Sequence, residues 1–388
     1  PLLPLPLFRL LFLARELKDE GLTLVLAHEK GGGIDFSSLN HLFVRIKLHE
    51  KIVFTRNLGA MLLAGISLAR ALGILERQTQ NFKFKQILTS LVEDINKGQS
   101  LSDGMKKFPD IFSSLFVSMV KSGEESGGLP NSLKVVGSQL DKSYLMRKKI
   151  RGALMYPAIV LVAIFVIGAL MLIYVVPSLT ATFKEMGVEL PATTRMIISL
   201  SDFLINNTAT FFFSIIAFIA GIFFLMHTSQ GKRGYDYIIL RLPLFGPIVK
   251  EVNSARTART LSSLLSAGVD VRRALSITGD VIQNVHYKEV LNEAGSAVEK
   301  GLPLSGLFKD KNDLYPVMVG EMMEVGEETG KLSSMLENIA DFYEEEVDTT
   351  TKDMSTLIEP ILMVLIGSAV GFLSIAMISP TYSILNSI

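Results

Sequence analysis

Paired carboxylates in a five-residue motif that occurs twice are the first candidate for chemistry in this 388-residue chain. The two copies read Gly123-Glu124-Glu125-Ser126-Gly127 and Gly326-Glu327-Glu328-Thr329-Gly330. Helical patterns flank each copy, and the last glycine suits a left-handed helix stop, so the motif predicts a corner between two helices. The Ser or Thr hydroxyl is expected to satisfy free backbone N–H groups where the next helix starts.

The acids of these corners have two interpretations. They are either solvated and favoured by the N-terminal dipole of the next helix, or a contact point for a basic partner or a divalent cation. Two adjacent carboxylates without further ligands are weak evidence for a metal. The candidate partner-contact residues here are Gly123, Glu124, Glu125, Gly127, Gly326, Glu327, Glu328 and Gly330.

A single carboxylate, Glu359, followed by Pro360, stands at the head of a long apolar stretch. Carboxylates inside membrane helices are costly and are usually paired or functional. Glu359 is therefore interpreted either as an interfacial residue in the first turn of a helix or as an intramembrane contact with another subunit or a passing helix. Glu359 and Pro360 complete the candidate contact residues.

Signatures of catalysis are missing from the sequence. It contains no Gly-x-x-x-x-Gly-Lys-Ser/Thr loop, no His-Glu-x-x-His and no Gly-x-Ser-x-Gly. It has no cysteine, and its five histidines lack metal-ligand spacing. We therefore expect no catalytic, cofactor-binding or metal-binding residues, and the second and third apolar stretches lack the buried Asp, Lys or Arg of a transporter.

The chain is internally duplicated with one constant offset. The segment around Gly65 recurs around Gly268, the first acidic corner recurs as the second, and Pro157 recurs as Pro360, each 203 residues later (268 − 65, 326 − 123, 360 − 157). A constant offset over such a distance indicates duplication of one structural unit. Pro316 departs from this register relative to Pro109 (316 − 109 = 207), which predicts local divergence there.

Three apolar stretches are long enough to cross a bilayer, which needs about 20 residues. We predict spans at residues 152–176, 209–226 and 357–380, in a chain of mean hydropathy +0.40. Prolines mark the first and third spans at matching points, and proline is easiest to place in the first turn of a helix or just past its end. Gly168, Gly367 and Gly371 would permit close helix–helix approach in lipid.

Lysine and arginine define the expected orientation. A basic run ends at Arg151, immediately before the first span, and Lys232, Arg233 and Arg241 follow the second. By the positive-inside rule, the two large domains at 49–151 and 227–356 are cytoplasmic. The connection 177–208 and the short tail 381–388 are then periplasmic.

Both large domains show apolar residues at helical spacing and no strand alternation, which predicts an all-α protein with two duplicated helical bundles and three transmembrane helices. Residues 49–151 carry 16 Lys/Arg and 9 Asp/Glu (+7), whereas residues 249–356 carry 11 and 19 (−8). Opposite fields permit the domains to dock on each other or on different partners, or the charges form a merely solvated surface; they argue against a nucleic-acid binder. Residues 1–48 are a poorly defined N-terminal segment.

These residues resemble the type II secretion F family, the inner-membrane platform proteins of type IV pili and type II secretion. The resemblance covers about residues 50–388, while the first forty-odd residues depart from the family's usual opening. Besides the two corners, it is carried by Leu63-Ala64-Gly65-Ile66-Ser67-Leu68 with its repeat, Arg241-Leu242-Pro243-Leu244-Phe245-Gly246-Pro247, Glu359-Pro360, and Gly367, Gly371 and Pro380.

The resemblance implies a non-catalytic platform in the bacterial inner membrane. Such a platform couples a cytoplasmic hexameric ATPase to insertion of pilin or pseudopilin into a growing filament, with inner-membrane alignment proteins, lipid and further copies of itself as partners and no cofactor. Pilus assembly is the first expectation and type II secretion the alternative. From other classes, a small transporter is disfavoured by few spans and a membrane enzyme by the missing motifs.

Overall fold

The computed structural model describes residues 46–185 and 190–385, and every regular element in those ranges is helical. The prediction for residues 1–48 therefore lies almost wholly outside the described residues. The first bundle begins with five helices and continues into a sixth: α1 Leu48–Leu63, α2 Leu68–Gln78, α3 Phe82–Asn96, α4 Leu101–Lys106, α5 Ser114–Glu125 and α6 Leu129–Leu170.

The rest of the described chain continues the all-α pattern. A π-helical turn, Met171–Val175, joins α6 to α7 Val176–Glu185. The remaining helices are α8 Ala192–Asn206, α9 Thr208–His227, α10 Ser229–Arg241, α11 Gly246–Ser266, α12 Val271–Val281, α13 Val285–Glu299, α14 Leu304–Asp310, α15 Val317–Glu328 and α16 Leu332–Leu385. Of the predicted tail 381–388, residues 381–385 belong to α16 and the last three lie outside the described residues.

Backbone geometry repeats with the sequence. The six glycines with positive φ form three pairs at the offset of 203, namely Gly65 and Gly268, Gly98 and Gly301, Gly127 and Gly330. The bundles differ where the register slips. Ser113 caps α5 by accepting the Phe116 N–H, whereas α15 follows Pro316, whose side chain makes no capping hydrogen bond. The predicted divergence around this connection thus affects how the helix is capped.

The cores of the two bundles use different aromatic residues. Phe54 packs edge-on against Phe84 in the first bundle, with Phe112 close by. Tyr315 takes the centre of the second bundle, where Tyr287 and Phe308 contact its ring edge-on. The Tyr315 hydroxyl lies 3.0 Å from the Thr257 hydroxyl, so this buried phenol has a hydrogen-bond partner.

Helices α6 and α16 run without a break from the bundles into the apolar segments. Pro157 lies inside α6 and Pro360 inside α16, so placing these prolines near helix starts was wrong. A proline inside a transmembrane helix is tolerated because neighbouring groups re-satisfy the freed backbone. Helices long and apolar enough to cross a membrane occur at Leu129–Thr182, Thr208–His227 and Leu332–Ile378, which confirms the three predicted apolar helices.

The outer ends of the first and third spans are joined through α8. Its Thr194 hydroxyl donates to the Ala376 carbonyl at 2.6 Å, and its Ser201 hydroxyl donates to the Leu172 carbonyl in the π-helical turn. Ile197, between them on the same face, is buried with Val176 and Ala376. The segment predicted as a plain connection between spans therefore contains a helix that holds two of them together.

Helix α9 packs differently from the other two spans. Among the residues of its most apolar window whose burial the structure describes, none is buried, and its main contacts are with α8 and α10, its neighbours in sequence. Phe213, Phe218 and Phe224 are each at least 70% exposed. In the bilayer these rings face lipid or other proteins.

Candidate functional site

Each acidic corner lies where a short helix ends and a long helix begins. The first joins α5 to α6 and the second joins α15 to α16. Gly127 and Gly330 have φ of 70° and 69°, the left-handed conformation that reverses the chain at a helix end. The predicted helix–corner–helix arrangement is present in both repeats.

The first acid of each corner caps a different helix from the one expected. Glu124 accepts the backbone N–H groups of Leu101 and Ser102 at the start of α4, the latter at 3.0 Å. Glu327 likewise accepts those of Leu304 at 2.7 Å and Ser305 at 3.0 Å at the start of α14. A carboxylate at a helix N-terminus satisfies orphan N–H donors and complements the dipole. Glu124 and Glu327 are therefore partly buried ties between helices, not solvated acids.

The first glycine of each corner is a point of close helix approach. A Cβ atom on Gly123 would lie 2.9 Å from the Leu129 Cα and 2.7 Å from the Ser132 Cβ. A Cβ atom on Gly326 would lie 2.9 Å from the Leu332 Cα. Since both contacts include backbone, only glycine lets the two helices of the corner pack at this distance.

The hydroxyls of the corners act on the helix behind them. Ser126 donates to the Ser122 carbonyl at 2.8 Å and Thr329 to the Val325 carbonyl at 2.6 Å. The expectation that they cap the following helices was wrong for Thr329. It holds only weakly for Ser126, whose Oγ lies 3.4 Å from the Gly128 nitrogen. In these positions a hydroxyl bonds more easily to the carbonyl four residues earlier.

The second acid of each corner faces solvent. Glu125 is exposed and lies 3.5 Å from Lys121 one turn earlier, and Glu328 is exposed in the second repeat. Within the described ranges no group of three His, Cys, Asp or Glu side chains could hold a metal ion. Because Glu124 and Glu327 bind backbone N–H groups, Glu125 and Glu328 are the acids that remain available to a partner.

Glu359 lies well inside α16, 27 residues after its first residue, Leu332, so its placement in the first turn of a helix was wrong. Glu359 and Pro360 are both exposed, while the adjacent Ile358 is buried against a groove that includes Ile150 and Ile248. The partner-contact assignment of Glu359 stays a prediction.

A duplicated ion pair escaped the sequence analysis. Arg56 contacts Asp141 at 3.1 Å on the surface of the first repeat. Adding 203 to each number gives Arg259 and Glu344, which form a bidentate pair at 2.9 Å and 3.0 Å. The Arg259 side chain is only 9% exposed, against 68% for Arg56. The constant offset was the signal that could have found this pair.

The opposite charges of the two bundles meet between α6 and α16. Lys142 on α6 contacts Asp341 at 2.7 Å and Glu344 at 3.4 Å, and Lys149 contacts Asp348 at 2.9 Å. Burial raises the pKa of the Asp341 carboxyl, but hydrogen bonds from Lys142 and Arg259 outweigh it and hold that pKa below its usual value. We call Lys142, Lys149, Arg259, Asp341, Glu344 and Asp348 the charge clasp.

Polar contacts extend this interface toward the corners. The buried Gln139 side chain on α6 donates to the Thr260 hydroxyl and accepts from the Ser263 hydroxyl, both at 3.3 Å. Ser122, just before the first acidic corner, donates to the Ala267 carbonyl at the end of α11. The first corner therefore borders the junction between the bundles.

Two tandem helical bundles that continue into apolar helices, with a third apolar helix between them, define a duplicated all-α membrane protein. The family model described as "Type II secretion system (T2SS), protein F" matches residues 54–177 and 257–380, again 203 apart (257 − 54). The chain belongs to this family.

Relatives that match most of the chain carry two kinds of name. "Type IV pilus assembly protein PilC" of Thermus thermophilus is 36% identical over 97% of this chain and 92% of its own length. The protein of the same name from Pseudomonas aeruginosa is 31% identical, over 95% and 98%. "Type II secretion system protein F" of Aeromonas hydrophila is 30% identical, over 96% and 97%. The resemblance to the type II secretion F family that the sequence predicted is therefore confirmed.

Proposed function

We propose that this protein is the inner-membrane platform of a type IV pilus assembly machine. It couples the motion of a cytoplasmic hexameric ATPase to the insertion of pilin subunits into a growing filament, and it catalyses no reaction itself. The similarity to proteins named for pilus assembly supports this role over nearly the full length of the chain. Inner-membrane alignment proteins, lipid and further copies of the chain are the other expected partners, and nucleic acid is not.

The observation that carries the proposal is the continuity of α6 and α16. They contain 42 and 54 residues, or about 63 Å and 81 Å at 1.5 Å per residue, and each passes from a bundle into an apolar span. The charge clasp joins them beside α11. Force applied to either bundle would therefore be transmitted to the spans without passing through a flexible linker.

The proposed topology places both bundles in the cytoplasm and α8 at the periplasmic side, because the basic residues cluster beside the bundle ends of the spans. A reporter fused after Met226 tests it directly. Activity of a cytoplasmic reporter is expected, and activity of a periplasmic reporter alone would place the second bundle out of reach of an ATPase.

The ATPase contact is proposed at Glu125 and Glu328, since the first acid of each corner is occupied within the chain. Glu125→Lys combined with Glu328→Lys should weaken co-purification of the ATPase and reduce piliation, while the protein still inserts in the membrane. If co-purification of the ATPase and piliation were both unchanged, these acids would be solvated surface residues without a role in ATPase binding. Asp280→Lys with Glu293→Lys, which changes the same charge elsewhere on the second bundle, is the control.

A secretion platform is the second candidate, because a relative of 30% identity is named for type II secretion. Deleting the gene in its host separates the two roles. Loss of pili with normal protein export supports the proposal, and loss of export with normal pili supports the alternative. Solute flux into liposomes containing the protein alone would instead favour a transporter, and turnover of a substrate by the protein alone would favour an enzyme.

A further inference from the structure

The two bundles meet within the chain through one face of each. Ser122 on α5 donates to the Ala267 carbonyl at the end of α11. The Gln139 side chain on α6 bonds to the Thr260 and Ser263 hydroxyls of α11, both at 3.3 Å. We call Ser122 and Gln139 the docking face of the first bundle, and the three residues that they contact the receiving face of the second.

The duplication gives the second bundle a docking face as well, but this face stays exposed in the single chain. Adding 203 to the numbers of the first docking face gives Val325 on α15 and Phe342 on α16. Gln139 is only 6% exposed because α11 covers it, whereas Phe342 is 41% exposed. Val325 is 46% exposed. Two apolar side chains therefore face water at positions that a bundle covers in the first repeat.

The first bundle likewise has an uncovered receiving face. Subtracting 203 from the numbers of the second receiving face gives Asn57, Ala60 and Ala64. Ala60 and Ala64 are exposed, and Leu63 beside them is 64% exposed. The counterpart of Leu63 is Ser266, which lines the cleft between the two bundles. Each chain thus carries one docking face and one receiving face that it does not cover itself.

Lipid does not account for the exposed docking face. Phe342 lies 15 residues before the predicted start of the third span at 357, which is about 22 Å along α16. Val325 lies on the preceding helix, before the second acidic corner. Exposed apolar side chains on a part of a protein that water surrounds indicate a protein contact when they are grouped.

The two uncovered faces differ from the covered pair in a matched way. In the covered pair, the Ser263 hydroxyl donates to the Gln139 side chain at 3.3 Å. The residues at the same places in the uncovered faces are Phe342 and Ala60. A polar contact is thus replaced by apolar residues on both sides, which suits two faces that also bury each other.

Charges on the two uncovered faces are complementary. The residues that line the covered cleft include Lys134 and Lys142 from the first bundle and Arg259 and Glu337 from the second. The corresponding residues beside the uncovered faces are Glu337 and Glu345 on the second bundle and Arg56 and Lys134 on the first. All four are exposed. In the same arrangement two acids would therefore face two bases, which favours association of the correct surfaces.

We propose that the docking face of the second bundle binds the receiving face of the first bundle in another copy of this chain, in the arrangement that joins the bundles within one chain. Each copy would bind one neighbour through each uncovered face, which is a head-to-tail contact. Glu125 stays exposed although Ser122 is docked, so Glu328 would also remain accessible. The proposal rests on the proposed function only for the expectation that copies of the chain associate.

Crosslinking in membranes tests the pairing of the faces, because the chain has no cysteine of its own. Val325→Cys and Ala64→Cys are placed in two differently tagged full-length chains, which are expressed together and treated with a short bismaleimide. We expect a crosslinked dimer that carries both tags. Ser122→Cys with Ala267→Cys in one chain is the positive control and should crosslink within the monomer. Asp280→Cys expressed with Ala64→Cys is the negative control, since Asp280 lies outside the docking face.

Self-association of the purified protein in detergent tests the apolar contact. Phe342→Gln introduces the residue found at the same place in the first bundle, and it should weaken self-association by at least about tenfold because an aromatic anchor is lost. Leu302→Gln is the matched control, because Leu302 is 56% exposed on the same bundle and its counterpart is also glutamine, Gln99. Light scattering over a dilution series measures both variants, and their unfolding temperatures should equal that of the parent.

A charge exchange separates binding from folding. Glu345→Arg and Arg56→Glu should each weaken self-association, and the two together should restore it, since opposite charges again face each other. Absence of the dimer carrying both tags while the positive control crosslinks would overturn the proposal, and so would equal self-association of Phe342→Gln and the parent. Loss of ATPase co-purification in Phe342→Gln with unchanged self-association would assign the face to the ATPase instead. These outcomes leave the gene-deletion test of the platform role unaffected.

Discussion

The Glu327 carboxylate accepts the Leu304 backbone N–H at 2.7 Å, 23 residues back along the chain. This bond joins the corner before α16 to the start of α14, and Glu124 makes the corresponding bond to Leu101 in the first repeat. An acid that looks like a surface charge in the sequence therefore fixes the packing of two helices. The acid beside it is left to the surface.

The two acids of a corner should respond differently to mutation. Glu327→Ala is expected to lower the free energy of unfolding by about 1 to 2 kcal/mol, because α14 loses the cap on its first N–H groups. Glu328→Ala should change it by less than about 0.5 kcal/mol, as for most exposed positions. Thermal unfolding of the purified protein in detergent measures both, and equal losses would contradict the capping role.

The first glycine of each corner should not tolerate a methyl group. Gly326→Ala brings a Cβ to 2.9 Å from the Leu332 Cα, and relieving that overlap is expected to cost about 1 to 3 kcal/mol. Gly152→Ala is the control, because a Cβ atom at that position would meet no neighbouring atom within 4 Å. The unfolding temperatures of the two variants test this packing. An unchanged unfolding temperature for Gly326→Ala would contradict the close approach of α15 and α16 at this glycine.

The two copies of the duplicated ion pair should contribute unequally to the free energy of unfolding. Arg259→Leu is expected to destabilise the protein by about 3 kcal/mol, since it leaves Glu344 without its bidentate partner at a largely buried site. Arg56→Leu, its counterpart in the first repeat, should cost less than about 1 kcal/mol, because the pair there is exposed. Chemical denaturation in detergent compares them, and similar losses would show that burial does not distinguish the copies.

Glu251 should make stability fall as pH rises. Burial raises the pKa of this carboxyl above 4.5, Glu346 adds to the increase, and a hydrogen bond from Thr350 opposes it. The folded protein thus holds the proton more tightly than the unfolded chain, and stability is lost as pH rises through the interval from 4.5 to the raised pKa. Glu251→Gln should be more stable than the parent at pH 7 and nearly equal to it below pH 4.5.

Asp348 supplies a control of opposite sign for that experiment. Hydrogen bonds from Lys149 and Lys352 lower the pKa of its carboxyl below 3.8, so its ionised form stabilises the fold above that pH. Asp348→Asn should therefore lose stability at pH 7. Thermal unfolding at pH 4 and pH 7 checks both variants. If the unfolding temperatures of the two variants at pH 7 changed in the same direction relative to the parent, the opposite pKa shifts assigned to Glu251 and Asp348 would be contradicted.

Glu359 gives a functional prediction. It is an exposed carboxylate within α16, at the start of the predicted third span. If it contacts a neighbouring membrane helix, Glu359→Gln should impair filament assembly while membrane insertion stays normal. Electron microscopy of filaments and membrane fractionation measure the two effects. Normal filaments in the variant would contradict a role for Glu359 in filament assembly.

Much of the architecture could be predicted because it depends on local patterns and on repetition. Apolar length identifies the three long helices, and the offset of 203 identifies the duplication, since both signals are continuous along the chain. Glycine at 127 and 330 indicates the corners because positive φ is a local property of the backbone. The full extent of α6 and α16 was harder to predict from the sequence. A proline does not end a membrane helix when neighbouring groups satisfy the backbone carbonyl that it leaves free.

The sequence by itself determined the all-α class, the repeat, the apolar spans and the positions of the corner residues. Only the tertiary structure decided what those residues do. Arg56 and Arg259 occupy the same place in their repeats, but Arg259 is buried because α6 and α16 close over it, while Arg56 stays in water. Glu124 and Glu327 likewise acquire their function from helices more than 20 residues away. Burial and long-range contacts depend on how the helices pack within each bundle and on how the two bundles dock, and neither is encoded in any local pattern.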